Sequence, residues 1–305
     1  MSERLTLIVN PSAGGGRILE RWPELPAVLA RRGELDVVTP PTAEGLAVQA
    51  RVAAAAGRTL IVAGGDGTIN RVINAVNGLH ACIGVLPVGS GNDFARCVGL
   101  PADPLAAARR IAAGSVTALD VVEVNGHCFA TVGGLGLVAD TSAAVGRAGR
   151  HGSVWRPVVR ALGSRAYLLA AAAHIALQRR TTTRIVTEGQ GRDGQWRWEG
   201  ECHAVLVANQ PLLGAGLRLP VPSSSTDGEC EVCVVPRDWR VRLALNLACL
   251  RGSRPVPDGA LIVFRARRAT IDCAETVGFA ADGEVFENGR RFSVDVRPGA
   301  IDVLA

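Results

Sequence analysis

At 305 residues, 48% of them apolar and only 4% aromatic, the chain can bury a sizeable core built mainly from Ala, Val, Leu and Ile, and its length suits one large or two ordinary domains. The net charge of +5 suits anionic partners such as nucleotides or acidic lipid surfaces, but no basic stripe interleaved with aromatics speaks for nucleic acid. All 33 basic residues are arginine, which excludes a Walker-type P-loop, a protein kinase and a Schiff-base enzyme, each of which needs a lysine.

Leu5–Val9, Leu35–Thr39, Thr59–Ala63 and Ile83–Leu86 read as short strands bounded by Gly or Pro. Between them Arg17–Arg32, Glu44–Ala56 and Ile69–Asn77 carry helical spacing. The alternation predicts a parallel sheet with helices on its faces and a ligand crevice at the carboxyl ends of the strands. Three glycine-rich stretches fall at those ends: Val9–Gly16, Ala63–Asn70 and Pro87–Asp93. Glycine lets backbone N–H groups approach a phosphate, and a helix N-terminus just downstream adds favourable partial charge.

Asp66 has two readings, a Mg²⁺ ligand beside a phosphate loop or the N-cap of the following helix. Asn10 and Asn70 have the chemistry to bond ribose or phosphate, and Ser90 to bond a phosphate oxygen. Asn92 and Asp93 read equally well as caps of a helix over Phe94–Cys97.

From about Asp120 the texture becomes that of a mostly antiparallel β domain. Strands are read over Val121–Val124, Cys128–Val132, Thr183–Thr187, Trp196–Ala208, Glu231–Val235, Leu261–Ile271 and Phe292–Val296. Asn125-Gly126, Asp193-Gly194 and Asn288-Gly289 supply hairpin turns. Helices are read over Trp155–Gln178 and Trp239–Leu250. The expected organisation is an α/β domain over residues 1–120 and a β-rich domain over 121–305.

Eight scattered cysteines and the absence of a secretory signal predict a reduced, cytoplasmic protein. Cys230 and Cys233 lie on a strand, where residues three apart face opposite sides, so they read as core rather than metal ligands. Ala166–Leu177, the longest apolar stretch, is too short to span a bilayer.

Asn10-Pro11-x-x-Gly14, Gly64-Gly65-Asp66-Gly67-Thr68-x-Asn70 and Pro87-x-Gly89-Ser90-x-Asn92-Asp93-Phe94-Ala95-Arg96, in that order, resemble the diacylglycerol kinase catalytic domain family of bacterial lipid kinases. The Gly-Gly-Asp-Gly-Thr core is shared with NAD kinases and phosphofructokinases, whereas the third motif is specific. Ala208-Asn209, Gly214-Ala215-Gly216, Asp227-Gly228 and Asp282-Gly283-Glu284 extend the resemblance over nearly the whole chain.

The resemblance implies a phosphofructokinase- or NAD kinase-like parallel sheet domain joined to a β-rich lipid domain, with ATP in the cleft between them. It carries ATP contacts onto Asn10, Pro11, Ser12, Ala13 and Gly14, onto Thr39, onto Gly65, Asp66, Gly67, Thr68, Ile69, Asn70 and Arg71, and onto Ser90, Gly91 and Asn92. Glu284 becomes the proton acceptor with Asp282 beside it. The loop Ser224–Glu229 becomes a structural Mg²⁺ site, held by Asp227 as its side-chain ligand and by nearby main-chain oxygens of the loop that Ser224 and Glu229 bound. The implied reaction is ATP- and Mg²⁺-dependent phosphorylation of a lipid hydroxyl, diacylglycerol first. Sphingoid or ceramide-type lipids, NAD or a sugar, and a catalytically weak ATP-binding regulator are the alternatives.

Arg71 stands where the family usually has Glu, and Thr131, Leu137 and Val138 replace its Asn, Phe and Asp, which bears on the acceptor side. The tail by which relatives return to the first domain is expected to be missing. Arg147, Arg150, Arg156, Arg160 and Arg165 make either a solvated helix face or a patch for peripheral contact with an anionic membrane. A homodimer is left open.

Overall fold

The computed structural model describes residues 3–13, 17–149, 153–163, 165–177, 183–214, 217–252 and 254–305. It divides into two compact units, Met1–Val121 with Pro298–Ala305, and Val122–Arg297.

The first unit opens with β1 (Glu3–Val9), then α1 (Ile18–Arg21) and α2 (Leu25–Leu29). These two short helices replace the single helix expected over Arg17–Arg32. Pro23 disfavours a helical Trp22 before it, and Pro26 sits in the first turn of α2, so the chain breaks between them. Next come β2 (Gly33–Val38), α3 (Ala43–Ala55), β3 (Thr59–Gly64), α4 (Asp66–Ala75), β4 (Cys82–Pro87), α5 (Asp93–Cys97), α6 (Pro104–Ala113) and β5 (Val116–Val124). α6 is not among the helices expected from the spacing, although Asp103 caps it at Ala106 N (2.7 Å) and Pro104 occupies its first turn.

β1 pairs in parallel with β2 on one side and β3 on the other, and β3 pairs in parallel with β4. β3 is buried along its whole length, which is why Thr59–Gly64 reads as an unbroken apolar run rather than an alternation. The chain leaves β1 in one direction and β3 in the other, so the order reverses between these two strands. That reversal opens a crevice at their carboxyl ends.

The second unit contains β6 (His127–Phe129), β7 (Val132–Gly136), α7 (Leu137–Gly149), α8 (Arg156–Leu162), α9 (Arg165–Leu177), β8 (Thr183–Gly191), β9 (Gly194–Ala208), β10 (Leu212–Gly214), β11 (Leu217–Arg218), β12 (Cys230–Pro236), α10 (Arg240–Arg251), β13 (Ile262–Ala266), β14 (Arg268–Ala281) and β15 (Glu284–Leu304). Its strands run β13-β12-β9-β7-β14-β15, with every pair antiparallel. Cys230 packs in a core with Phe129, Val207, Phe279 and Phe292, whereas Cys233 joins a second cluster with Leu206 and Leu219. The two thiols thus face opposite sides of β12.

Two turns behave differently from their motifs. Asn288-Gly289 lies inside β15, paired with Gly278 and Val277, and the reversal comes at Asp282-Gly283, both at positive φ (50° and 83°). The expectation of a missing return is also corrected. Asp302–Leu304 pair in parallel with Cys82–Gly84 of β4, and Asp120 holds Gly299 N at 2.9 Å, so the end of β15 belongs to the first unit. The expected domain over 121–305 therefore gives up its last eight residues, Pro298–Ala305.

Candidate nucleotide and acceptor sites

The loops that follow β1, β2, β3 and β4 begin at Asn10, Thr39, Gly65 and Val88, all at the carboxyl edge of one parallel sheet. Asn10 joins two of them. Its Nδ2 donates to Thr68 Oγ1 (2.7 Å), its Oδ1 accepts from Ser12 N (2.9 Å), and its own N–H bonds Ala63 O (3.0 Å). Pro11 and Ala13 are half-buried and Ser12 is exposed, while Gly14 lies outside the described residues. Thr39 is exposed just beyond β2.

The second and third loops touch through their backbones. A Cβ on Gly89 would stand 2.5 Å from Gly65 Cα and 2.9 Å from Asn92 Oδ1, so only glycine fits. Asn92, in the left-handed region at φ 56°, folds back on this loop. It accepts from Gly89 N and donates to Gly89 O, both at 2.9 Å. Its side chain is therefore committed to shaping the loop. Ser90 is exposed and Gly91 half-buried at the same rim.

Asp66 has a role beside the two that the sequence leaves open. It lies in the first turn of α4, whose N-cap is Gly65, and its Oδ1 accepts from Phe94 N (3.0 Å), the first turn of α5. A cap it is, but of the other helix. Asp93 is buried next to it, and its carboxyl is pushed up to about 6 by burial and by the Asp66 charge, with Arg96 (3.1 Å) pulling the other way. Thr68 and Ile69 are buried, leaving chiefly their backbone for a ligand, and Gly67 is half-buried. Asn70 accepts from Asn74 through its carbonyl (2.9 Å), and Arg71 stands exposed on α4.

In the second unit the Asp282-Gly283 turn is more than a solvated hairpin. Thr131 Oγ1 donates to Asp282 Oδ1. Tyr167 Oη donates to Gly283 O (3.3 Å), and a Cβ on Gly283 would collide with that phenol. Thr131, one of the departures from the family pattern, thus bonds Asp282 directly. Glu284 follows the turn and is exposed. His127 stacks on Phe286 with ring centroids 4.0 Å apart, and burial holds its imidazole below the usual histidine range while Glu284 and Glu287 pull it up. His127 stands 157 positions before Glu284, and no local signal in the sequence marks the pair.

The Ser224–Glu229 loop meets arginines instead of presenting open carboxylates. Asp227 Oδ2 accepts from Arg265, its Oδ1 accepts from Glu229 N (3.1 Å), and its carbonyl accepts from Arg192. Glu229, fully buried, is ringed by Arg265 (3.4 Å), Arg267 (3.6 Å) and Arg192 (3.7 Å). Ser224 Oγ bonds Thr226 Oγ1 (3.0 Å). Among the described residues no group of three or more acidic, His or Cys side chains is placed to hold a metal ion. Guanidinium groups already pair the carboxylates of Asp227 and Glu229, so a divalent cation at this loop would compete with Arg265 for Asp227 and take its other ligands from main-chain oxygens.

Two family models match the chain: the diacylglycerol kinase catalytic domain over residues 4–124, and the YegS C-terminal NAD kinase beta sandwich-like domain over residues 142–305. A Pseudomonas aeruginosa protein named "Probable lipid kinase YegS-like" is 30% identical over 253 residues, covering 80% of this chain and 76% of that one. The diacylglycerol kinase of Bacillus subtilis is 29% identical over 229 residues, covering 74% and 70%. The crystal structure of a diacylglycerol kinase from Bacillus anthracis superposes with a TM-score of 0.73 at 19% identity, covering 99% of this chain and 96% of that one, which shows a shared fold.

Proposed function

Because the chain belongs to the diacylglycerol kinase catalytic domain family, and is therefore a phosphotransferase of the lipid-kinase kind, we propose that it moves the γ-phosphate of ATP onto a lipid hydroxyl, diacylglycerol giving phosphatidic acid. One observation carries the donor half: three glycine loops at one sheet edge, cross-linked by Asn10 and held in backbone contact at Gly65 and Gly89. Their N–H groups and the start of α4 receive the phosphates, and Asn10 and Ser90 belong to the same loops, with Thr68 holding Asn10 from beneath.

The donor set at Asp66 fits a hard cation. The Oδ2 atoms of Asp66 and Asp93 both border the space beside Gly91, and two carboxylates side by side suit a divalent ion, for which Arg96 is the competitor at Asp93. Mg²⁺ held there with the nucleotide would spread the charge of the transferring phosphoryl group.

In the acceptor half, Glu284 takes the hydroxyl proton as that oxygen bonds the γ-phosphorus and the bond to the ADP oxygen breaks. Asp282 orients the turn, itself anchored by Thr131 and Tyr167. His127, stacked on Phe286, has its imidazole held below the usual histidine range by burial, with the Glu284 and Glu287 charges acting in the opposite sense.

Labelled ATP with Mg²⁺, offered diacylglycerol, ceramide, a sphingoid base and NAD in parallel, tests the reading. Diacylglycerol is expected to be labelled, and Glu284→Gln to lose about 10²–10⁴-fold in transfer while keeping its nucleotide affinity. Labelling of NAD alone, or a fully active Glu284→Gln, overturns it.

A further inference from the structure

α9 carries one residue that its composition does not explain. Apart from Arg165 and His174 it is built from Ala, Leu and Ile with a single Tyr, and that Tyr167 is the only tyrosine of the chain. A half-buried phenol keeps a partner for its hydroxyl, and Tyr167 Oη donates to Gly283 O (3.3 Å), 116 positions away. Asp282 and Gly283 are the central residues of the hairpin, with Ala281 and Glu284 as its last strand pair. The carbonyls inside such a turn point away from the ladder, so Gly283 O takes its partner from outside the hairpin. The fit is tight as well. A Cβ on Gly283 would stand 2.5 Å from Tyr167 Oη and 3.1 Å from its Cζ, so the phenol leaves room for glycine alone.

The helix behind Tyr167 is braced against the same hairpin. Ala166, Ala171 and Ile175 are the buried positions of α9, which packs on α7. Burial pushes the Asp140 carboxyl of α7 up while the His174 and Arg147 charges pull it down, which sets His174 on the side of α9 toward α7. α7 in turn follows directly on β7, whose Gly133, Gly134 and Leu135 pair with Ala281, Ala280 and Phe279 of β14. Ala139 of α7 packs at Gly278, where an added Cβ would stand 3.5 Å from the Ala139 Cβ. Contacts thus run from β14 through β7 to α7, from α7 to α9, and from α9 through one hydroxyl back to the turn that ends β14. The ring closes on Gly283. Glu284 is the next residue, and its side chain is exposed, so its placement follows the backbone of that turn.

We propose that Tyr167 is a positioning residue for the transfer step: its hydroxyl ties the Asp282-Gly283 turn to the brace of α7 and α9 and thereby holds Glu284 where an acceptor hydroxyl meets it. This rests on the acceptor reading for the role of Glu284, while the tie between α9 and the turn stands on its own contacts. Thr131 holds the same turn at Asp282, so loss of the Tyr167 hydroxyl loosens the turn without undoing it.

Tyr167→Phe keeps the ring and removes the hydroxyl. Its kcat is expected to fall about tenfold, with the KM for ATP within about twofold and the unfolding midpoint nearly unchanged, because a misplaced base slows the reaction without weakening the donor. A second pair of variants reads the tie with no acceptor present. Gly283→Ala should lower the unfolding midpoint of the unaltered chain, and lower it less when Tyr167 is already Phe, since the closest clash is with the hydroxyl and the backbone strain at φ +83° is common to both. Should Gly283→Ala fail to fold in both backgrounds, the kinetics of Tyr167→Phe decide alone. An unchanged kcat in Tyr167→Phe overturns the positioning role, as does an equal loss in the KM for ATP, and strict additivity of the two substitutions overturns the tie. An unaltered chain that labels none of diacylglycerol, ceramide, sphingoid base and NAD sinks the acceptor reading and the role of Glu284 with it, a result distinct from an active chain indifferent to the hydroxyl.

Discussion

In the first unit, two glycines face each other so closely that the loops have no other arrangement, whereas in the second unit the corresponding work falls to side chains that meet from far along the chain. Gly65 and Gly89 are 24 positions apart and locked by backbone contact. Thr131 and Asp282 are 151 apart, and Arg265 and Asp227 are 38 apart, both joined by hydrogen bonds between side chains. Steric necessity leaves a mark in the sequence because only one residue type survives it. A polar pair leaves none, since each partner is acceptable in many other settings.

The contrast breaks most readily at the arginine cluster. Arg265→Leu leaves Glu229 and Glu231 buried with less compensation and should cost about 3 kcal/mol, read as a lower unfolding midpoint. A chelator should leave the midpoint of the nucleotide-free protein where it is. A large drop on chelation would mean that a cation, and not Arg265, holds this loop.

Next in size is Gly89→Ala, for which the colliding backbone at Gly65 has no room to yield. A loss of about 2 kcal/mol with at least tenfold weaker nucleotide binding is expected, measured by calorimetry. The same change at Gly78, where an added Cβ meets nothing but the φ is +80°, should cost only its backbone strain and spare the nucleotide.

Asp93 sharpens the comparison through pH. Its carboxyl is raised from 3.8 to about 6, so the folded state holds its proton more tightly than the unfolded one. The resulting penalty is absent below pH 3.8, grows as pH rises through that interval, and is full above about 6. Asp93→Asn should therefore gain on the order of 1–2 kcal/mol at pH 7–8 after losing the Arg96 pair, and the gain should vanish near pH 4. A constant difference across that range would remove Asp93 as its source. The smallest effect belongs to Thr131→Val, about 1 kcal/mol in stability with a lowered kcat, and Thr131→Ser should restore both.

Much of the first unit could be read directly. Apolar runs bounded by Gly or Pro mark β1, β3 and β4 within about two residues, and the glycine loops fall at their ends. The break at Pro23 and the capped start of α6 at Asp103-Pro104 were also legible by ordinary rules, which the broader helical spacing obscured. The second unit resisted for a different reason. Asn288-Gly289 carries the same short hairpin signature as Asn125-Gly126, yet it sits in a paired strand because pairing with β14 outweighs local turn preference. The neighbouring Asp282-Gly283 makes the turn instead. Likewise Asp227 reads as a ligand on its own stretch, and only the arrival of Arg192 and Arg265 shows how its oxygens are spent.

The pairing of Asp302–Leu304 with β4 has a consequence for biosynthesis. A ribosome emits β1 to β4 first, but the strand that covers the free edge of β4 emerges only after the whole second unit has been made. Until then Ile83 and Gly84 present an unpaired edge, the kind of template on which nascent chains stick to one another. The nucleotide-binding unit is therefore closed by residues translated late, and a truncated chain ending near residue 121 should be a far poorer folder than its self-contained motifs suggest.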